Sequence, residues 1–404
     1  MTTDPVAPGP HPMFPVARPD PSTPPPSYAP GGDRTPHRVS LAYGGEAWLV
    51  VGYDDARRVL ADTSFSSDAT RPDYPNFPLA PRRRIPGHFI AADPPEHGRV
   101  RRIMAAGFSG RAILRLAPSM AAHAAALVDG IARDAAPFDL IAALAVPLHG
   151  AVVAESLGVP PDAFEPFRAN AARLLDHRAT PSVRAVGASR LDQQLRAILA
   201  AQPPGEETLL ARLAGCVRRG DLTADEAAGA ANLVVAAGLE TTVALLGLTV
   251  LALLRSRGGW AAVSADPAGG SGPAVQEALR YWTVVEHGVA RVATADTTVS
   301  GVRIAAGEAV VVHLATANRD PGVYPQPDEY HPARPTPAGH LAFGHGPHRC
   351  LGAALAQAEV AVAVAELARR LPDLALDPSA PPVAYLDHML VYGVPELRLD
   401  PRTS

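Results

Sequence analysis

The chain has 404 residues, 47% hydrophobic and only 19% charged, enough to bury a large core in one big domain or two smaller ones. A formal net charge of −4 excludes a global pull toward nucleic acid or an anionic membrane. Two cysteines, Cys216 and Cys350, exclude a disulfide framework, and the chain reads as cytoplasmic.

The first residues, "MTTDPVAPGPHPMFPVARPDPSTPPPSYAP", have no apolar h-region and are neither signal peptide nor anchor. Their proline density predicts a separate leader over 1–36, extended on the surface or disordered, ahead of a single domain over 37–404. "RVSLAYGGEAWLVVGY" follows, two β-rich runs around Gly44-Gly45, which predicts a hairpin. "DYPNFPLAPRRRIPGHFIAA" has too many prolines for regular structure and reads as a long loop. Its Arg82-Arg83-Arg84 run is taken as a solvated face.

Helices dominate from Asp93. "DPPEHGRVRRIM" predicts a helix with Asp93 as N-cap and Glu96 completing a capping box. "LTADEAAGAANLVV" repeats the device with Thr223 and Glu226. "NLVVAAGLETTVALLGLTVLALL" is long enough to span a bilayer, but Glu240 and two threonines lie at its middle, so it is read as the central buried helix of a globular protein. "AVQEALRYW" is a further helix. "TTVSGVRIAAGEAVVV" then alternates around glycines, predicting short strands, and "HMLVYGVPELRL" reads as paired short strands near the C-terminus. The fold class is mainly α with a minor β part. Cys216 is an incidental thiol with no assigned role.

The chemistry concentrates at "AFGHGPHRCLGAALA". Cys350 stands just before the last long helix, where the positive helix end and free N–H groups favour thiolate, the form that binds metals. Gly344, Gly346 and Gly352 allow backbone to approach something flat and large. The bland alternative is a buried structural thiol. Every one of the 36 basic residues is arginine, so a bound anion meets either a permanently charged planar fork or a histidine.

"FGHGPHRCLG" resembles the haem-binding loop of the cytochromes P450, with Phe343, Gly346, Cys350 and Gly352 at its defining positions. The resemblance implies haem b with Cys350 as the axial thiolate, pushing electron density to favour O–O cleavage, and Phe343 and Gly344 beside it. "AAGLETT" resembles the family's oxygen-binding central helix. It implies Ala237 and Gly238 against the haem, Thr241 as the hydroxyl that hydrogen-bonds dioxygen, and Glu240 as the acid relaying protons. Outside the family context, Thr241 is equally a helix threonine bonding its own i−4 carbonyl. "EALR" matches the family's E-x-x-R, so Glu277 and Arg280 are expected to lock to Arg334 of "PDEYHPAR". His97, Arg101, Arg291 and His348 fall at positions that hold the haem propionates in relatives.

The likeness runs from Val39 nearly to the C-terminus and is closest to soluble actinobacterial class-I members. It implies a monomeric enzyme that draws NAD(P)H electrons through a ferredoxin and its reductase. With O2 it oxygenates a lipophilic small molecule, by hydroxylation or epoxidation in natural-product tailoring. Arg99, Arg102 and Arg349 offer a basic patch for the acidic partner. Substrate contacts are expected from Phe89, Asn232, Val235, Ala236, Val285, Val289, Met389 and Leu390, with Asn232, Glu286 and His287 able to orient a polar group. Oxidative coupling, cyclisation or desaturation is the alternative outcome at the same centre, and a haem sensor without turnover is a third reading that the Glu240–Thr241 pair argues against.

Overall fold

The computed structural model describes residues 11–42, 44–75, 84–176, 178–202, 208–335, 339–387 and 389–402. Its helices are α1 (Tyr53–Ala61), α2 (Glu96–Ala105), α3 (Gly110–Asp134), α4 (Val146–Leu157), α5 (Phe164–Leu175), α6 (Pro181–Ala201), α7 (Leu209–Arg219), α8 (Ala224–Arg255), α9 (Gly259–Ala265), α10 (Pro267–Trp282), α11 (Leu314–Ala317) and α12 (Ala353–Arg370). Its strands are β1 (Met13–Phe14), β2 (His37–Leu41), β3 (Glu46–Val50), β4 (Phe65–Ser66), β5 (Phe138–Asp139), β6 (Val289–Ala293), β7 (Thr297–Val299), β8 (Val302–Ile304), β9 (Ala309–Val312), β10 (Ala375–Leu376) and β11 (Arg398–Asp400). The polypeptide forms two compact units, one of Met1–Val100, Arg280–Glu329 and Thr336–Cys350, the other of Arg101–Leu279, Tyr330–Pro335 and Leu351–Ser404.

The first unit is built on a six-stranded sheet of order β1-β2-β3-β9-β6-β4. The expected hairpin pairs β2 with β3, His37 opposite Leu49, and turns at Gly44 and Gly45, whose φ of 92° and 86° suit glycine. β3 runs parallel to β9 and β6 antiparallel to it. All four residues of β9 are buried, because apolar clusters cover the sheet on both faces. β7 and β8 form the small ribbon that the glycine-punctuated stretch predicted.

The proline-rich segment, predicted as a separate leader, is part of this unit over residues 11–36. β1 pairs with β2, Phe14 and Tyr28 are 0% and 2% exposed, and both rings pack on His313. Arg18 places Nε 2.8 Å from the carboxylate of Glu286, and Arg319 donates to the Ser22 carbonyl at 2.8 Å. Proline removes backbone donors, but two aromatics and an arginine supply enough anchoring for the chain to dock without them.

The second unit holds the long helices. α3 packs along α12, and α5 along α6. α8 is apolar all round rather than amphipathic, the pattern of a core helix, and most of its residues are buried. Its N-terminus carries the expected capping box, Thr223 Oγ accepting from the Glu226 amide and Glu226 accepting from the Thr223 amide. A second sheet joins β10, β11 and β5.

Two local expectations differ from the structure. Asp93 is not a side-chain N-cap, since its carboxylate accepts from Ser66 Oγ at 2.5 Å and the Ser67 amide at 2.8 Å, while Glu96 pairs with Arg84. The competing partners were β4, far off in sequence, and Arg84. The C-terminal stretch is not a hairpin either. Met389 makes an isolated bridge to Asp176, and only β11 is a strand, paired with β10 and β5. Each half of the apparent hairpin found a partner elsewhere. Of the arginine run, Arg82 and Arg83 lie outside the described residues.

Candidate active site

In the first unit the site grows from the loop that ends at Cys350. Leu341 and Ala342 are buried, which roots the loop, and Gly344 and Gly346 turn it with φ of 68° and 71°. At Gly346 a Cβ would stand 2.5 Å from the Leu60 carbonyl oxygen, so only glycine lets the loop lie against the end of α1. The Cys350 amide donates to the Phe343 carbonyl at 2.8 Å, which folds the loop back and leaves the cysteine exposed. The alternative of a buried structural thiol does not describe Cys350. It does describe Cys216, which is 4% exposed and lies 3.3 Å from Arg219 Nη2. α12 opens later than the sequence suggested, at Ala353 with Gly352 as N-cap. Cys350 is thus two residues outside the helix, so the loop amides around it matter more than the macrodipole, which fades within a turn.

Three of the expected anion-binding residues belong to this unit. His97 is 3% exposed, and its ring stands 4.0 Å from that of His348, centroid to centroid. Arg291 is 5% exposed, and burial pulls its pKa down. Its Nη1 donates to the Ala290 carbonyl at 2.8 Å. No carboxylate among the described residues ion-pairs with it; Asp93 acts only at a distance and is committed to Ser66 and Ser67. A guanidinium held out of water without a counter-ion is costly, so its surroundings suit an incoming carboxylate. A haem bearing two propionates fits that requirement, and an exposed thiol beside a glycine-flattened loop fits its iron.

In the second unit α8 carries the rest. Ala237 is exposed and Gly238 and Thr241 half-exposed in the middle of an otherwise buried helix, and nothing lies within 4 Å of where a Gly238 Cβ would be. The helix therefore borders open space on this face. Thr241 Oγ donates to the Ala237 carbonyl at 3.0 Å. Glu240 is 9% exposed with Arg168 Nε 3.4 Å from its carboxylate. Burial raises its pKa, against the lowering by Arg168 and then His149. Arg101 is half-buried on α2.

Glu277 accepts from Arg334 Nε at 3.2 Å and the His331 amide at 2.9 Å, while Tyr330 donates to the Ala274 carbonyl at 2.9 Å. Arg280, 1% exposed, donates to the carbonyls of Asn318, Pro327 and Glu329. Among the substrate candidates, Phe89, Val235, Ala236 and Met389 are buried; Asn232, Val285, Val289 and Leu390 are half-buried. Val289 packs on the sheet core. Glu286 is not free to orient a ligand, being committed to Arg18 with both side chains under 10% exposed. Sequence reasoning missed Arg168 and a buried pair, His149 and Glu359, with Nδ1 3.0 Å from the carboxylate. Their only signal was polarity inside apolar helices.

A family profile described as "Cytochrome P450" matches residues 273–385. Cytochrome P450-SU2 of Streptomyces griseolus is 37% identical over 399 residues, covering 95% of this chain and 98% of that one. Pentalenic acid synthase of Streptomyces avermitilis is 33% identical over 393 residues, covering 95% and 96%. Among solved structures, that of GfsF superposes with a TM-score of 0.87 at 32% identity, over 96% of this chain and 100% of that one. That of cytochrome P450 TxtC, described as performing sequential aliphatic and aromatic thaxtomin hydroxylation, gives 0.86 at 31% identity, over 94% and 100%.

Proposed function

The chain belongs to the cytochrome P450 family, and from that premise we propose that it hydroxylates or epoxidises a lipophilic natural-product intermediate with electrons from a ferredoxin and its reductase. It is a haem-thiolate monooxygenase of the bacterial kind, with relatives in secondary metabolism. Haem, when bound, activates dioxygen so that one atom enters the substrate and the other leaves as water.

The protein's residues do the rest. Cys350 supplies the thiolate, with Phe343, Gly344 and Gly352 shaping the loop around it. Arg291, His97, His348 and Arg101 take the propionates. Ala237 and Gly238 leave room beside α8, and Thr241 offers a hydroxyl into that room. Glu240, raised in pKa by burial, holds a proton at pH values where an exposed carboxyl has lost it, which suits delivery toward Thr241. The mostly apolar substrate set selects a lipophilic ligand. The observation that carries this reading is an exposed loop cysteine in the same unit as a buried arginine that lacks a carboxylate partner among the described residues. A soluble monomer in the cytoplasm, acting as one functional domain that includes the docked proline-rich segment, completes the proposal.

The test is the carbon monoxide spectrum of the reduced protein. Wild type should give a far-red-shifted Soret band that Cys350→Ser abolishes. A band unmoved by that substitution would make the thiol structural. Product formed in step with NADPH and oxygen consumption, using a ferredoxin pair, separates the monooxygenase from a sensor.

A further inference from the structure

Beyond Glu240 and Thr241, one buried titratable cluster has no part in the chemistry described so far. His149 lies on α4, 5% exposed, and its Nδ1 stands 3.0 and 3.2 Å from the two carboxylate oxygens of Glu359 on α12. Glu359 is itself 3% exposed. The other ring nitrogen, Nε2, is buried and makes no well-formed hydrogen bond. The groups of α8 that act on this ring are the Gly238 carbonyl and the Glu240 carboxylate. Phe164, at the start of α5, closes the remaining side with its ring 6.1 Å away.

We propose that His149 is a positioning residue for Glu240: Glu359 clamps one edge of the ring, and the other edge presents an N–H and a positive charge to the Gly238–Glu240 turn. The inference rests on the reading of Glu240 as the proton-handling acid. Three charged groups act on that acid, Arg168 and Glu165 from α5 and His149 from α4, and Glu359 of α12 stands behind the histidine. The Arg168 side chain is 30% exposed, so solvent and salt weaken its hold. His149 is buried, so its charge is little screened, and it is the second cationic influence on Glu240 after Arg168. Burial alone would discharge it, but Glu359, then Glu240 and the Gly238 carbonyl, hold its pKa above the ordinary value. A second consequence concerns Thr241. Its hydroxyl lies 3.0 Å from the Ala237 carbonyl and 3.5 Å from that of Gly238. A histidine N–H facing the Gly238 carbonyl leaves Ala237 as the partner of the hydroxyl.

A purely structural buried pair would bridge α4 and α12 and leave Glu240 alone, and titration separates the two roles. The ferrous carbon monoxide holoenzyme, labelled at the glutamate carboxyl carbons and the histidine ring nitrogens, is followed by NMR against pH, with Glu240→Gln assigning the acid. In His149→Leu and His149→Gln the Glu240 midpoint should rise by about one pH unit or more. The pH limb of coupling efficiency that belongs to Glu240 should move to higher pH with it. Glu359→Gln should lower the His149 midpoint. An unmoved Glu240 midpoint in both His149 variants overturns the inference. Where those variants do not fold, Glu240→Gln decides by reciprocity: a His149 midpoint lower in that variant than in wild type supports the inference, and one that does not move overturns it. Failure of the underlying reading looks different, as a wild-type protein without the thiolate-type carbon monoxide band.

Discussion

Glu240 illustrates how burial of one acid ties stability to pH. Its pKa is raised first by burial, so the folded state favours the protonated acid. A raised value means that its contribution is fully present below the unfolded pKa of about 4.3 and is lost as pH rises through the folded value, at about 1.4 kcal/mol for every tenfold difference between the folded and unfolded acidity constants. Glu240→Gln removes that loss. The difference in unfolding midpoint between the variant and wild type should therefore become more favourable to the variant as pH rises from below about 4.3 toward neutrality. A difference that stays flat with pH would show that Glu240 ionises as easily in the fold as outside it. Arg291 presents the mirror case, a buried cation whose pKa is pulled down by burial.

At the scale of elements, the thiolate loop depends on its contact with the end of α1. Gly346 combines φ of 71° with a Cβ position 2.5 Å from the Leu60 carbonyl. Gly346→Ala adds a left-handed penalty of about 1–2 kcal/mol to overpacking of about 1–3 kcal/mol. The variant should unfold at a lower temperature and carry less haem per polypeptide; full haem and an unchanged midpoint would contradict the close packing. In the second unit α8 is apolar enough to be buried, yet small side chains at Ala237 and Gly238 keep one stretch of its surface open.

At the scale of the molecule, the proline-rich N-terminal segment contributes to the first unit's stability. Arg18 and Glu286 are 2% and 9% exposed, and truncating one leaves the other as a buried unpaired charge. Arg18→Met should cost about 3–5 kcal/mol. Adding Glu286→Leu should restore most of the lost thermal midpoint, because the pair as a whole is costly to desolvate. If the double variant were no better than the single, the loss would not come from a stranded Glu286 charge.

The sequence by itself determined what depends on short spacings. The thiolate loop, the A-G-x-E-T-T helix, the Thr223 capping box and the glycine hairpin are each written within a few residues, and backbone conformation over such a span follows from local sterics and hydrogen bonds. Tertiary structure decided every partnership between distant positions. Asp93 turned from cap to bridge because Ser66 and Ser67 reached it, and Glu286 was claimed by Arg18. The C-terminal strands separated to different partners, and His149 of α4 found Glu359 of α12. Buried polar groups must be satisfied somewhere, but the chain spells only the need. Which group meets it is fixed when the helices pack and water is excluded.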